Sequence, residues 1–129
     1  MPTYTVTTTL SITKPRKQQL AKVYARLAED FTDAAPWVHQ TVFNFKDGDD
    51  YYNGGVEASQ LAKPIVWVNI QMYEGRSQEQ KKKVMDSVRE ETMNCFQVHR
   101  NQILVYIIEV GRQHALVDMG PHTLEKKEL

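Results

Sequence analysis

Apolar positions along the chain fall into four short extended runs and two long helical stripes. Residues 2–9 set Tyr4 and Val6 among repeated threonines, a composition that fits a strand whose other face is polar or lines a site. Leu10-Ser11-Ile12 makes a turn, Thr13 can cap a helix, and Pro15 in its first turn needs no N–H partner. Leu20, Val23, Tyr24, Leu27 and Phe31 then recur at three- and four-residue steps. They predict an amphipathic helix over 14–33 with Lys17, Lys22, Arg26 and Asp30 on its wet side. Asp33-Ala34-Ala35-Pro36 ends it, because Pro36 forces its predecessor out of helical geometry. Residues 37–45 read as a second strand. Two turn signals, 47–50 and 53–55, enclose Tyr51 and Tyr52 and mark 47–63 as a surface excursion built as a small hairpin. The third strand, 65–72, begins almost uniformly apolar, as a strand covered on both faces does. Residues 73–76 form a loop, and Ser77 with Gln80 forms a capping box for a second helix over 77–96. Val84, Met85, Val88, Thr92 and Cys95 face inward there, and Lys81, Lys82 and Lys83 are a solvated first turn. A fourth strand covers 102–110, and the tail after Gly111 has little periodicity.

The order repeats itself. Pro2 and Pro64 open the two halves, Thr13 and Ser77 cap their helices, and Val42 and Ile107 sit in the closing strands, at offsets of 62, 64 and 65 residues. Two tandem βαβ units, 1–46 and 64–110, with the excursion between them and a tail over 111–129, make one α/β (α+β) domain. Right-handed crossovers put both helices on one face of a single four-stranded sheet. The other face is left bare, and a bare, partly apolar face predicts an oligomer.

Composition narrows the function. At 129 residues, 41% hydrophobic and 25% charged, the chain is an ordinary globular domain. Sixteen basic and 16 acidic side chains leave no net charge, which argues against a nucleic-acid partner. The longest apolar run, 103–108, is too short to cross a membrane. Without a secretory leader, and with a lone cysteine, Cys95, the expected location is cytoplasmic. His39, His99, His114 and His122 show no metal-ligand spacing, so neither a metal nor another cofactor is expected.

Chemistry enters at Pro2. If Met1 is removed, as a small following residue favours, Pro2 carries a free secondary amine. An α-amino group has a reference pKa of roughly 7.7–8.0, and burial or neighbouring cations lower it. Such an amine can serve as a base, or as an acid, near neutral pH.

Met1-Pro2-Thr3-Tyr4, Gly54-Gly55-Val56, Glu74-Gly75-Arg76-Ser77, Val105-Tyr106 with Glu109, and Leu116-Val117-Asp118-Met119-Gly120 occur in order over nearly the whole chain. In this the chain resembles the tautomerase superfamily, and within it the branch typified by cis-3-chloroacrylic acid dehalogenase. The resemblance implies a homotrimer with a site near each Pro2. It makes Pro2 the catalytic proline, Arg76 an arginine that holds a substrate carboxylate, Tyr106 the tyrosine that assists a water-activating acid, and Asp118 that acid, an aspartate where the dehalogenase has glutamate. Two positions depart from the pattern: the first arginine of the family's pair is Tyr73, and a histidine late in the first helix is Ala28. Tyr73 can stack on a substrate ring. Arg112 and His114 lie near the tail and could replace the lost contacts, on proximity alone. The reading that asks least of the site is a tautomerase acting on a small 2-oxo acid or its enol. The alternatives are a hydratase or dehalogenase using Asp118 and Tyr106, and a non-catalytic trimer that keeps the fold.

Overall fold

The computed structural model describes residues 2–32 and 35–128; Met1, residues 33–34, Leu129 and the side chains of Phe31 and Thr32 lie outside the described residues. Strand β1 (Pro2–Thr8) leads into helix α1 (Lys14–Thr32), and strand β2 (Gln40–Phe45) follows after a 3-10 turn at Pro36–Val38. Short strands β3 (Tyr52–Asn53) and β4 (Val56–Glu57) precede β5 (Val66–Tyr73), helix α2 (Gln78–Phe96) and β6 (Ile103–Val110). The main sheet has the order β2-β1-β5-β6, with β1 antiparallel to β5 and each edge strand parallel to its inner neighbour. Among the described residues no helix is long and apolar enough to cross a membrane.

Local chemistry sets the element ends. Thr13 accepts the Arg16 N–H at 3.4 Å ahead of α1. Ser77 and Gln80 form the reciprocal capping box that starts α2, with bonds of 3.0 and 3.1 Å. The β3–β4 hairpin turns on Gly54 and Gly55, both at positive φ (56° and 79°), the geometry of a two-residue turn that twists with its strands. The second strand begins at Gln40 rather than Trp37, because Pro36 starts a 3-10 turn whose own hydrogen bond, His39 N–H to the Pro36 carbonyl at 3.2 Å, occupies that segment.

The core lies between one sheet face and the two helices. Tyr4 and Val6 of β1 and Val66, Val68, Ile70 and Met72 of β5 pack against Leu20, Tyr24 and Ala28 of α1 and Val84, Val88 and Phe96 of α2. Tyr4 and Tyr24 stack with ring centres 4.6 Å apart. The Tyr24 hydroxyl lies 2.6 Å from Thr92 Oγ1, and Thr92 spends its only proton on the Val88 carbonyl, also at 2.6 Å. Tyr24 is therefore the donor in that pair.

The third strand is not covered on both faces. Val66, Val68, Ile70 and Met72 are buried, Trp67 and Asn69 are half-buried, and Gln71 is exposed, so β5 alternates like the rest of the sheet. The apolar start of the run comes from Trp67 lying on the open face. The repeat is also more regular than the proline and valine marks suggest. A constant offset of 64 residues carries 2–8 onto 66–72, α1 onto α2 end for end, and 40–45 onto 104–109. Val42 thus corresponds to Tyr106, with which it shares a row through Thr5 and Asn69, and not to Ile107, which packs on the core side.

Candidate active site

Four strand ends meet at one end of the sheet. They are the starts of β1 and β2 and the finishes of β5 and β6, since β5 and β6 run against β1. Pro2 opens β1 there as a fully buried ring, on the same face as Tyr4 and Val6, paired with Met72. The parallel crossover from β1 to β2 makes α1 run back toward this end, which brings Ala28, 1% exposed, into the core near it. The position where the resemblance leads one to expect a histidine thus holds a methyl group sealed in packing. Glu29 beside it is exposed.

The loop from β5 to α2 is pinned at the same end. The Glu74 N–H donates to the Val110 carbonyl at 3.0 Å. Gly75 takes φ +114°, a conformation that needs glycine, and the half-buried Arg76 follows directly before the Ser77 cap. The amino terminus of α2 therefore starts at this end and adds its partial positive charge. Tyr73, one register step beyond the Met72–Pro2 pair, carries the Arg112 guanidinium 4.5 Å from its ring centre. Lys81 is committed to Glu109 at 2.7 Å, and Glu109 pairs in register with Met72. Two arginines, Arg76 and Arg112, thus lie at this end on segments tied to one another by the Glu74–Val110 bond.

The tail crosses this end of the sheet. It leaves β6 through a 3-10 turn at Arg112–His114, and its second turn, Pro121–Leu124, packs against Pro36–Val38 beside the start of β2. Asp118 rides exposed between them. His114 is exposed as well.

Tyr106 is elsewhere. It lies on the open face, 48% exposed, with Trp67 in edge contact at 5.8 Å and Asn69 as its register partner. Its row is three steps from the Pro2 row and two strands across, about 10 Å in each direction. Pro2 and Tyr106 are therefore on opposite faces of one chain, while Pro2, Arg76, Tyr73 and the segment bearing Asp118 share one end. Tyr51 of the excursion also reaches this face: burial raises its phenol pKa, and Tyr106 adds to the rise. Trp67 Nε1 and Asn69 Oδ1 are buried there without a hydrogen-bond partner. Val42, Leu104 and Ile108 complete an exposed apolar surface around them.

The cavity between the helices is remote from all this. Its 270 Å³ is lined by the beginning of α1 (Arg16, Leu20, Val23) and the end of α2 (Glu91, Cys95), at the opposite end of the sheet. Arg16 already donates to the Cys95 carbonyl at 3.0 Å, and burial pushes the Cys95 thiol up. Asp47, Asp49 and Asp50 bring carboxylate oxygens within 4.8 Å of one another, in an exposed turn.

No protein-family model matches this chain, and no curated protein matches it by sequence. Solved structures do. A native fused 4-OT superposes with a TM-score of 0.82 at 15% identity, covering 95% of this chain and 98% of that one. N1, a member of the cis-3-chloroacrylic acid dehalogenase (cis-CaaD) family, gives 0.79 at 20% identity over 89% of this chain and 79% of its own. A fused 4-OT wild-type asymmetric trimer gives 0.80 at 15% identity over 89% and 91%. The fold is that of the tautomerase superfamily. In this tautomerase fold, Pro2 stands first in an inner strand, and the residue that the sequence pattern drew in only by proximity is Arg112.

Proposed function

We propose that this chain is an enzyme that interconverts the enol and keto forms of a small 2-oxo acid, with the nitrogen of Pro2 as the proton carrier. The observation that carries the proposal is the position of Pro2, first residue of an inner strand in a tautomerase fold, at the sheet end that also holds Arg76 and the start of α2. Removal of Met1 frees the amine. The amine takes the proton from the enol oxygen, the C–O bond becomes a carbonyl, and the resulting ammonium returns a proton to the adjacent carbon. No net proton is consumed. Arg76 holds the carboxylate, with geometry suited to a fork of two hydrogen bonds, and the chemistry calls for no cofactor or metal.

The working unit in this proposal is a homotrimer closed over the open sheet face. Val42, Leu104, Tyr106 and Ile108 are the apolar surface it buries, and the orphaned Trp67 Nε1 and Asn69 Oδ1 find partners there. A neighbouring copy can then bring its Tyr106 to a Pro2 that its own Tyr106 does not face. A trimeric structure among the similar folds supports this assembly. The lone cysteine fits a reducing, cytoplasmic setting.

A second reading, addition of water to an unsaturated acid, is favoured by one observation: Asp118 sits on the tail that crosses the Pro2 end. It requires Asp118 and Tyr106 to activate water while Pro2 protonates carbon. Ketonisation of an aryl 2-oxo acid's enol, followed in the ultraviolet for wild type and Pro2→Ala, tests the first reading. A fall in kcat/KM of about a hundredfold or more is expected from loss of a positioned acid–base group. Full activity in Pro2→Ala would remove it.

A further inference from the structure

We propose that Arg112, seated on the ring of Tyr73, binds the substrate carboxylate together with Arg76 and makes the site select 2-oxo acids over their uncharged esters. This rests on reading the Pro2 end of the sheet as the active site.

Arg112 belongs to the sheet end where Pro2 stands. Tyr73 is the next residue after Met72, the register partner of Pro2, and Val110 is the register partner of Tyr73. Arg112 follows two residues later. The His114 N–H to Gly111 carbonyl bond of 2.8 Å sets the turn that carries it. Its guanidinium centre then lies 4.5 Å from the Tyr73 ring centre. A guanidinium held by one face against an aromatic ring keeps its N–H edge free for a planar anion.

That edge is not spent inside the chain. Among the described residues, ion pairs engage Lys81, Lys82, Lys83 and Arg89, and Arg112 makes neither an ion pair nor a hydrogen bond. Lys81, the other cation near the strand end, is neutralised by Glu109 at 2.7 Å. Arg112 is therefore a preoriented, uncompensated cation at the sheet end that begins with Pro2. The Glu74–Val110 hydrogen bond of 3.0 Å links the loop that bears Arg76 to the strand end that leads to Arg112. The two arginines are thus carried on segments tied to one another at this sheet end, from which a two-point grip on one carboxylate can be built. Tyr73 is a positioning residue in this arrangement.

The test compares an aryl 2-oxo acid with its methyl ester, as enols, on wild type, Arg112→Ala, Arg112→Lys, Tyr73→Phe and Tyr73→Leu. Arg112→Ala should raise KM for the acid about tenfold to a hundredfold, the weight of a charge-assisted hydrogen bond, and leave kcat/KM for the ester within about twofold. Arg112→Lys should recover part of the loss, Tyr73→Phe, which keeps the ring, should keep the wild-type preference for acid over ester, and Tyr73→Leu should resemble a milder Arg112→Ala. Equal effects on acid and ester, or an unchanged KM for the acid in Arg112→Ala, would overturn the assignment. An NMR titration with pyruvate decides the same point without turnover. A Kd weakened about tenfold or more in Arg112→Ala supports it, and an unchanged Kd overturns it. A wild type that binds pyruvate through Arg112 but converts no enol would leave this inference standing and defeat the tautomerase reading alone.

Discussion

Leu104→Asp separates the fold from the assembly. Leu104 is 40% exposed on the open face of β6, in the row of Trp67 and Thr7. That row is five register steps from the Pro2 row, about 17 Å along the strand. A carboxylate there sits in water in the single chain, so the fold should tolerate it. In a trimer closed over this face it is buried in each of three copies. Covering the remaining two-fifths of a leucine is worth about 0.6–1.2 kcal/mol, taking about 1.5–3 for the whole side chain. Burying an unpaired carboxylate instead costs about 3–5 kcal/mol. Three copies therefore remove about 10 kcal/mol or more from the closed ring, about seven orders of magnitude in its dissociation constant at 1.4 kcal/mol per tenfold. Sedimentation at micromolar concentration should show wild type as a trimer and Leu104→Asp as a folded monomer, with native far-ultraviolet dichroism and lost enol turnover. A Leu104→Asp protein that keeps the wild-type mass, or a wild type that is itself monomeric, would refute the reasoning.

Three predictions concern the scaffold beneath the site. Tyr24→Phe removes the bond from a fully buried hydroxyl to Thr92 and should cost about 1–2 kcal/mol in urea melts; no change would mean that the network carries no net stability. Burial holds the Tyr4 and Tyr24 phenols well above their ordinary range. A folded-state pKa above the unfolded value gives stability that is complete below about pH 10 and is lost as pH rises from there toward the folded pKa, so urea midpoints should fall as pH rises above about 10, and the double variant with phenylalanine at both positions should lose much of that slope. Gln97 ends α2 at φ 55°, where glycine pays no Cβ penalty, and Gln97→Gly should raise stability by about 0.5–1 kcal/mol; a drop would show that the glutamine side chain stabilises the helix end.

Much of the fold could be read from the chain because its signals are local. The capping box at Ser77 starts α2 where the residues say it should, and Gly54-Gly55 makes the hairpin turn inside the excursion. Errors arose where an apolar residue served something other than its own chain's core. Trp67 made β5 look buried on both sides, yet its indole lies on the open face. Val42 and Ile107 are both apolar residues of closing strands, yet they point to opposite faces, and only the 64-residue register separates them. The site was legible as a set of residue types more than as a place. The starts and ends of β1, β2, β5 and β6 bring Pro2, Arg76 and Tyr73 together through strand direction, which no single segment encodes. Tyr106 lies in a row and on a face that a single chain does not connect to Pro2. Arg112 had no motif to announce it, because its role depends on a register partner, Val110 beside Tyr73, 37 residues earlier in the chain.

The central claim is that Pro2 presents a titrating amine. It is tested most directly by an NMR pH titration of protein labelled with 15N-proline. The account predicts that the Pro2 nitrogen titrates as a secondary amine with a pKa below the ordinary α-amino range of about 7.7–8.0, because burial and the positive charge of Arg76, Arg112 and the start of α2 disfavour its charged form. Enol turnover should follow the same pKa. A Pro2 nitrogen that stays an amide behind a retained Met1, or that titrates with no effect on turnover, would contradict it.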